Sequence, residues 1–208
     1  GTCKPLVESF CTSKDSCDAG QYATPAVEIA TLNGAAILLG EAIDAEDPSG
    51  ATPTAPALDG AIQHAKEWAA AHPDHKVVTV LATDGLPTIC DPTDIGSIAG
   101  LAEDGRIGTP SILTFVIGVF ATTDVGAQGN LDSIAQSGGT GDAFFITDNQ
   151  DVSQAFLDAL RAIRGETLAC EYQMPQPPDG SDLDYNKVNV EYTTAGASTP
   201  ATVFYVGE

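Results

Sequence analysis

Two segments of the chain, Lys76 to Thr83 (KVVTVLAT) and Ser111 to Phe120 (SILTFVIGVF), are almost continuous runs of apolar and β-branched residues. A strand with one solvated face alternates polar and apolar residues, whereas a strand buried on both faces has an unbroken apolar sequence. Strands of the second kind belong to parallel sheets that carry helices on both faces. The two segments therefore predict an α/β fold with an open, mostly parallel sheet.

Segments with helical spacing of apolar residues separate these strands, as expected for a parallel sheet. The pattern predicts a third strand from Asp142 to Thr147 and a short edge strand from Thr24 to Leu32. Predicted helices cover 33–45 with Asn33 as N-cap, 54–71, a stretch from the Asp91-Pro92 pair to about Gly105, and residues around 130–136. A last helix begins after Asp151, with Gln154 placed for a capping box and Gly165 at its end; its predicted buried stripe is Phe156, Leu157, Leu160 and Ile163.

The pattern changes after Thr167, where short β-rich segments at 169–175, 188–193 and 202–206 are separated by loops rich in Pro, Gly and Asp. We interpret residues 168–208 as a small antiparallel β appendage. Residues 24–167 form the α/β domain, and residues 1–23 are an irregular segment that contains cysteines.

The five cysteines show no paired C-x-x-C zinc spacing, and two of them are spaced for a small disulfide loop, which indicates an oxidising compartment. Cys11 and Cys17 enclose a short polar loop, so we predict a disulfide between them. Cys3 is the most available partner for Cys90, which leaves Cys170 to bond with a residue outside this chain. A secreted or cell-surface protein is expected.

The charge balance excludes several classes of partner. Eight Lys and Arg residues stand against 29 Asp and Glu residues, a net charge of −21. A chain without a basic patch is a poor ligand for nucleic acid.

The longest apolar run is too short for a transmembrane segment. Phosphate-loop and nucleophile-elbow motifs are missing, so no enzyme activity is expected.

Two polar positions follow or precede predicted core elements. Asp84 comes directly after the strand of residues 76–83, and ligands of open α/β sheets bind at the carboxyl ends of strands. Thr52 lies in the loop GATPT, which opens a helix. Hydroxyl and carboxylate oxygens suit a hard cation such as Mg²⁺ or Ca²⁺. The simpler alternatives are that Asp84 caps a turn and that Thr54 is an ordinary N-cap.

Together, GATPT and the TDG turn at 83–85 resemble the von Willebrand factor A family, and the later segments FVIGV and AFFITD fit the family's last strands. The resemblance covers residues 24–167. It implies a metal-ion-dependent adhesion site in which Thr52 offers a hydroxyl and Asp84 a carboxylate. It further implies an extracellular adhesion module that holds an acidic group of a protein or other ligand through Mg²⁺ or Ca²⁺. The alternative is a structural subunit of a secreted or cell-surface assembly that uses the fold without metal.

One family motif has no match: Asp-x-Ser-x-Ser at the end of the first, central strand. Asp47-Pro48-Ser49 and Asp151-Val152-Ser153 do not follow strands. We therefore expect the first central strand to be missing from this chain and to be supplied by an upstream segment or a separate chain. The less favoured alternative is that residues 1–23 fill the position. The strand of residues 76–83 should then have one edge open to a strand from elsewhere.

Overall fold

The computed structural model describes residues 15–46, 49–121, 126–167, 190–192 and 201–203. The chain divides into two compact units, residues 1–169 and 170–208. In the described part of the first unit, six helices and three strands follow one another in the order α1 (Ala19–Tyr22), α2 (Leu32–Asp44), α3 (Thr54–Ala71), β1 (Val78–Thr83), α4 (Ile95–Ile107), β2 (Leu113–Phe120), α5 (Ala127–Ser137), β3 (Phe144–Thr147) and α6 (Val152–Thr167).

The three strands form a parallel sheet in the order β1-β2-β3. Val78 lies opposite Leu113, and Ile117 lies opposite Phe144. One face packs against α3, α4 and α5, where Leu58, Ile98 and Leu131 are almost fully buried. The other face packs against α6. The predicted α/β architecture, with helices on both faces of a parallel sheet, is confirmed.

Local hydrogen bonds explain two helix starts. The backbone N–H of Gln154 donates to Asp151 Oδ1 at 3.0 Å, so Asp151 is the predicted cap of α6. In α4, Asp94 Oδ1 accepts from the Ser97 N–H at 2.9 Å. The expected cap at Asp91 is therefore wrong, because the side chain that reaches the free amide of the first turn lies three residues later.

The predicted strand from Thr24 to Leu32 is also wrong. Residues 23–31 form turns and bends, and α2 begins at Leu32 with Thr31 in the N-cap position, so Asn33 lies inside the first turn. The weak alternation of this segment does not suffice for a strand, because a strand also needs a neighbour with which to pair. The side chain of Ile29 is 46% exposed, which agrees with a surface segment.

The buried side of α6 differs from the predicted stripe. Ile163 and Ala159 are buried, and Phe156 packs against the same cluster. Leu157 and Leu160 are 48% and 39% exposed, because α6 covers the sheet only with the face that contacts β2 and β3. The helix also continues past Gly165 to Thr167.

Both predicted disulfides are wrong, because the two cysteines that the structure describes bond to each other. Cys17 bonds to Cys90 across 73 residues of sequence, so Cys17 is not paired with Cys11, and Cys90 is not paired with Cys3. The short spacing of Cys11 and Cys17 favoured a local disulfide loop, but in the folded chain Cys17 lies against Cys90, at the end of the loop that follows β1. Cys3, Cys11 and Cys170 lie outside the described residues.

In the second unit, β4 (Val190–Tyr192) and β5 (Ala201–Val203) pair in antiparallel fashion, with Glu191 opposite Thr202. This agrees with the predicted antiparallel pairing in the appendage. The segment at 169–175 lies outside the described residues. Within the described parts of the chain, no helix has the length and apolar character needed to cross a bilayer.

Candidate metal-binding loops

Two loops meet at the carboxyl end of β1, and two hydrogen bonds hold them together. The first loop, residues 49–53, precedes α3; the second, residues 84–90, follows β1. The Thr52 N–H donates to Thr88 Oγ1 at 2.8 Å, and the Thr88 N–H donates to the Thr52 carbonyl at 3.1 Å. The structure thus brings together the two segments in which sequence analysis placed Thr52 and Asp84.

The turn after β1 is stabilised by the side chain of its own threonine. Thr83 Oγ1 donates to the Gly85 carbonyl at 2.7 Å and accepts from the Gly85 N–H at 3.2 Å. Threonine side chains commonly close turns in this way. Asp84, between them, is exposed, and its carboxylate has no hydrogen-bond or ion-pair partner among the described residues. The alternative in which the Asp84 side chain caps the turn is therefore not supported.

The hydroxyl of Thr52 lies beside this turn. A Cβ atom placed on Gly85 would be 3.5 Å from Thr52 Oγ1, an ordinary van der Waals distance. Thr52 itself is half-buried. The structure therefore places a hydroxyl oxygen next to the residue that follows Asp84.

Asp15 supports the first loop, and sequence analysis did not identify it. Its Oδ2 accepts from the Ala51 N–H at 2.8 Å. Gly50 has φ = +112°, and a Cβ atom at this position would lie 2.6 Å from Asp15 Oδ1. Glycine is thus required here both for the backbone conformation and for the approach of the carboxylate. Asp15 lies 35 residues before Gly50, and no local pattern links the two.

The disulfide anchors the segment that carries Asp15. Cys17 joins Cys90, the last residue of the second loop, and Cys90 has φ = +64°. Tyr22 closes the segment, because its hydroxyl donates to the Ser16 carbonyl at 3.0 Å and accepts from the Ser16 N–H at 3.1 Å. Asp15, the first loop and the second loop are therefore cross-linked by one covalent bond and several hydrogen bonds.

The oxygen atoms at this end of β1 could serve as part of the ligand set of a hard cation. Mg²⁺ and Ca²⁺ take six to eight oxygen ligands, mainly carboxylates, hydroxyls, carbonyls and water. The Thr52 hydroxyl and the Asp84 carboxylate belong to this class. Across the described residues, however, no three His, Cys, Asp or Glu side chains gather closely enough to hold a metal. Thr52 and Asp84 account for two ligands, and the remaining coordination positions need water, other oxygen atoms of these loops or another segment.

Comparison of the chain with known protein families, with curated proteins and with solved structures finds no match. The likeness to the von Willebrand factor A family therefore rests on the residues and their order in the chain.

Proposed function

We propose that this chain is part of an extracellular binding module of the von Willebrand factor A type, which holds an acidic group of its ligand through Mg²⁺ or Ca²⁺. One observation carries the proposal. At the carboxyl end of a parallel strand, Thr52 lies beside the turn that presents Asp84, which is exposed and has no partner among the described residues. Carboxyl ends of parallel strands are where open α/β sheets bind ligands.

In this site, Thr52 Oγ1 and an Asp84 carboxylate oxygen are the cation ligands that the chain itself offers, and Asp84 binds the ion directly or through water. A bound cation supplies an open coordination position for a ligand carboxylate. The Thr52–Thr88 hydrogen bonds keep the two loops in register. The disulfide Cys17–Cys90 supports secretion, since such bonds persist in oxidising compartments.

Isothermal titration of the chain with MgCl₂, CaCl₂ and MnCl₂, at ionic strength matched with NaCl, tests the proposal. We expect weak binding, with a Kd on the order of millimolar, because few protein ligands are present. Thr52→Ala and Asp84→Asn should each remove the heat and the thermal stabilisation. Asp74→Asn, an exposed carboxylate in the turn after α3, is the matched control and should change neither. Absence of heat and of stabilisation with all three ions would overturn the proposal.

The second candidate is a structural subunit that uses the fold as a scaffold. Exposed apolar residues on α2 favour it: Leu32, Ile37 and Ile43 are each more than 70% exposed. Size-exclusion chromatography with and without EDTA separates the two functions. An assembly that persists in EDTA and in the Thr52→Ala and Asp84→Asn variants supports the scaffold, whereas an assembly or ligand complex that EDTA dissolves supports the metal-dependent module.

A further inference from the structure

Two histidines flank the turn that ends helix α3. His72 is the C-cap of this helix, and Pro73 and Asp74 follow it. The His75 N–H donates to the His72 carbonyl at 3.0 Å, which closes the turn. Proline at the second position of such a turn has its φ already set by the ring. The backbone therefore holds the two imidazole side chains at a fixed spacing.

The ring of His72 is oriented by two contacts with Trp68. The two rings stack, with 3.8 Å between their centroids and 17° between their planes. His72 Nδ1 lies 2.8 Å from the Trp68 carbonyl oxygen. Because a carbonyl oxygen only accepts, Nδ1 carries the proton of this bond, and Nε2 of the neutral ring keeps its lone pair. Histidines that bind metals have this arrangement, in which one nitrogen donates to a carbonyl and the other is the ligand.

The ring of His75 lies close enough to His72 for both to bind one ion. The two ring centroids are 6.0 Å apart, and the ring planes are 89° apart. A metal ion about 2.0–2.1 Å from each nitrogen lets the two ring centres be up to about 6.4 Å apart. His75 is exposed, and neither of its ring nitrogens has a hydrogen-bond or ion-pair partner among the described residues. Rotation of its side chain therefore suffices to direct a nitrogen at the ion.

We propose that His72 and His75 bind a divalent transition-metal ion of the Ni²⁺, Cu²⁺ and Zn²⁺ group, with water in the remaining coordination positions. Imidazole nitrogen suits these ions, and Cu²⁺ has the highest affinity among them. The net charge of −21 attracts cations to the chain. Within the part of the chain that the structure describes, no third His, Cys, Asp or Glu side chain joins the pair. The ion is therefore exchangeable and accessible to solvent.

This site is separate from the loops that carry Thr52 and Asp84. Those loops lie at the start of α3, whereas His72 follows its last residue, and a helix of 18 residues is about 27 Å long. The ligand atoms also differ, because Mg²⁺ and Ca²⁺ prefer oxygen to imidazole nitrogen. Failure of one proposal therefore leaves the other unaffected.

Fluorescence of Trp68 gives the first test. Trp68 is the only tryptophan of the sequence, and it contacts both imidazole rings. The chain with its disulfide intact is titrated with CuCl₂ in a buffer that does not bind copper. We expect saturable quenching at one ion per chain, reversal by EDTA, and no quenching by MgCl₂. Excess ZnCl₂ should restore the fluorescence, because Zn²⁺ competes for the imidazoles and has a filled d shell. Absence of saturable quenching by Cu²⁺ would overturn the proposal.

Substitutions locate the ion. His72→Phe keeps a ring beside Trp68 but removes both nitrogens, and His75→Phe does the same at the second position. Each should weaken Cu²⁺ binding at least about tenfold, since loss of even a hydrogen-bond partner of a metal ligand has an effect of this size. His64→Gln is the matched control, because His64 is the remaining histidine and lies one turn before Trp68 on α3. Quenching that is lost in His64→Gln and kept in His72→Phe would overturn the proposal.

Pulsed EPR of the Cu²⁺ complex counts the bound imidazoles without relying on the tryptophan. We expect two imidazoles in the wild type and in His64→Gln, and one in His72→Phe and in His75→Phe. Thermal unfolding followed by circular dichroism shows that each variant is folded. A wild-type spectrum with one imidazole or none would overturn the proposal, because the two histidines would then not share an ion.

Discussion

Gly50 shows how a single residue supports the candidate site. Its φ of +112° and the approach of Asp15 both exclude a side chain. Gly50→Ala should lower the free energy of unfolding by about 1–3 kcal/mol, because alanine is strained in this conformation and its Cβ displaces the Asp15 carboxylate. Urea denaturation measures the change. Gly100→Ala in α4, where nothing lies within 4 Å of the new Cβ, is the control and should stabilise by roughly 0.5–1 kcal/mol. Equal effects of both substitutions would contradict the role of Gly50.

Asp94 predicts a pH dependence at the start of α4. The pKa of Asp94 lies below its ordinary value because the backbone and side chain of Ser97 donate to the carboxylate. Desolvation raises the pKa, but by less than these hydrogen bonds lower it. A carboxyl with a lowered pKa in the folded state adds stability that is present above the unfolded pKa, about 3.9, and is lost as pH falls through the folded value. We therefore expect Asp94→Asn to reduce stability at pH 6 and to reduce it less at pH 3.

Urea denaturation of the wild type and the variant at each pH gives this difference directly. Comparing the two proteins cancels the titration of the other acidic groups, which both share. Asp74→Asn, in an exposed turn, serves as control and should show no such trend. A deficit of Asp94→Asn that stays constant from pH 6 to pH 3 would contradict the cap.

At the scale of elements, the disulfide Cys17–Cys90 connects the segment before α1 with the loop after β1. Closing a loop of 73 residues stabilises by about 4 kcal/mol in the chain-entropy model. Replacing both cysteines with serine should therefore lower the unfolding free energy by a similar amount. Peptide mapping without reduction checks the connectivity, and recovery of a Cys11–Cys17 peptide would contradict it.

Helices α2 and α4 offer a direct comparison of exposed and buried isoleucines. Ile98 of α4 is fully buried against the sheet, whereas Ile37 of α2 is 72% exposed, and Ala35 is the one buried residue of α2. Ile98→Ala should destabilise the chain by about 2–5 kcal/mol through cavity formation. Ile37→Ala should change stability by less than about 0.5 kcal/mol. A large loss from Ile37→Ala in denaturation experiments would show that α2 is covered in solution.

Charge governs the behaviour of the whole molecule. With 29 acidic and 8 basic residues, the folded chain repels itself, and salt screens this repulsion. The melting temperature should rise steadily as NaCl increases from about 0.01 M to about 0.5 M. MgCl₂ at matched ionic strength should raise it further only if the loops at Thr52 and Asp84 bind the cation. Thermal unfolding followed by circular dichroism tests both statements, and a melting temperature independent of NaCl would contradict the first.

Features governed by neighbours in sequence could be predicted without the structure. The unbroken apolar runs became β1 and β2 because burial on both faces requires such composition, and α3 spans 54–71 as expected because its apolar residues repeat with the helical period. Asp151 caps α6 because its side chain needs to reach an amide only three residues away. The loops of Thr52 and Asp84 were proposed as a site because together they resemble the motifs of a known family, and the structure shows that hydrogen bonds connect these two loops.

Contacts between distant residues were decided by tertiary structure alone. Cys17 bonds to Cys90, and Asp15 contacts Gly50 and Ala51. The segment that carries Cys17 and Asp15 is held there because α1 packs on α3 at Gly60, where a Cβ would lie 2.4 Å from the Ala19 carbonyl. No local pattern encodes that approach, so the nearby Cys11 looked like the better partner for Cys17. The buried side of α6 was equally unpredictable, since the choice between Leu160 and Ala159 depends on where the helix meets β2 and β3. Periodicity shows that a helix has an apolar face, but the surface it meets determines which of its residues are buried.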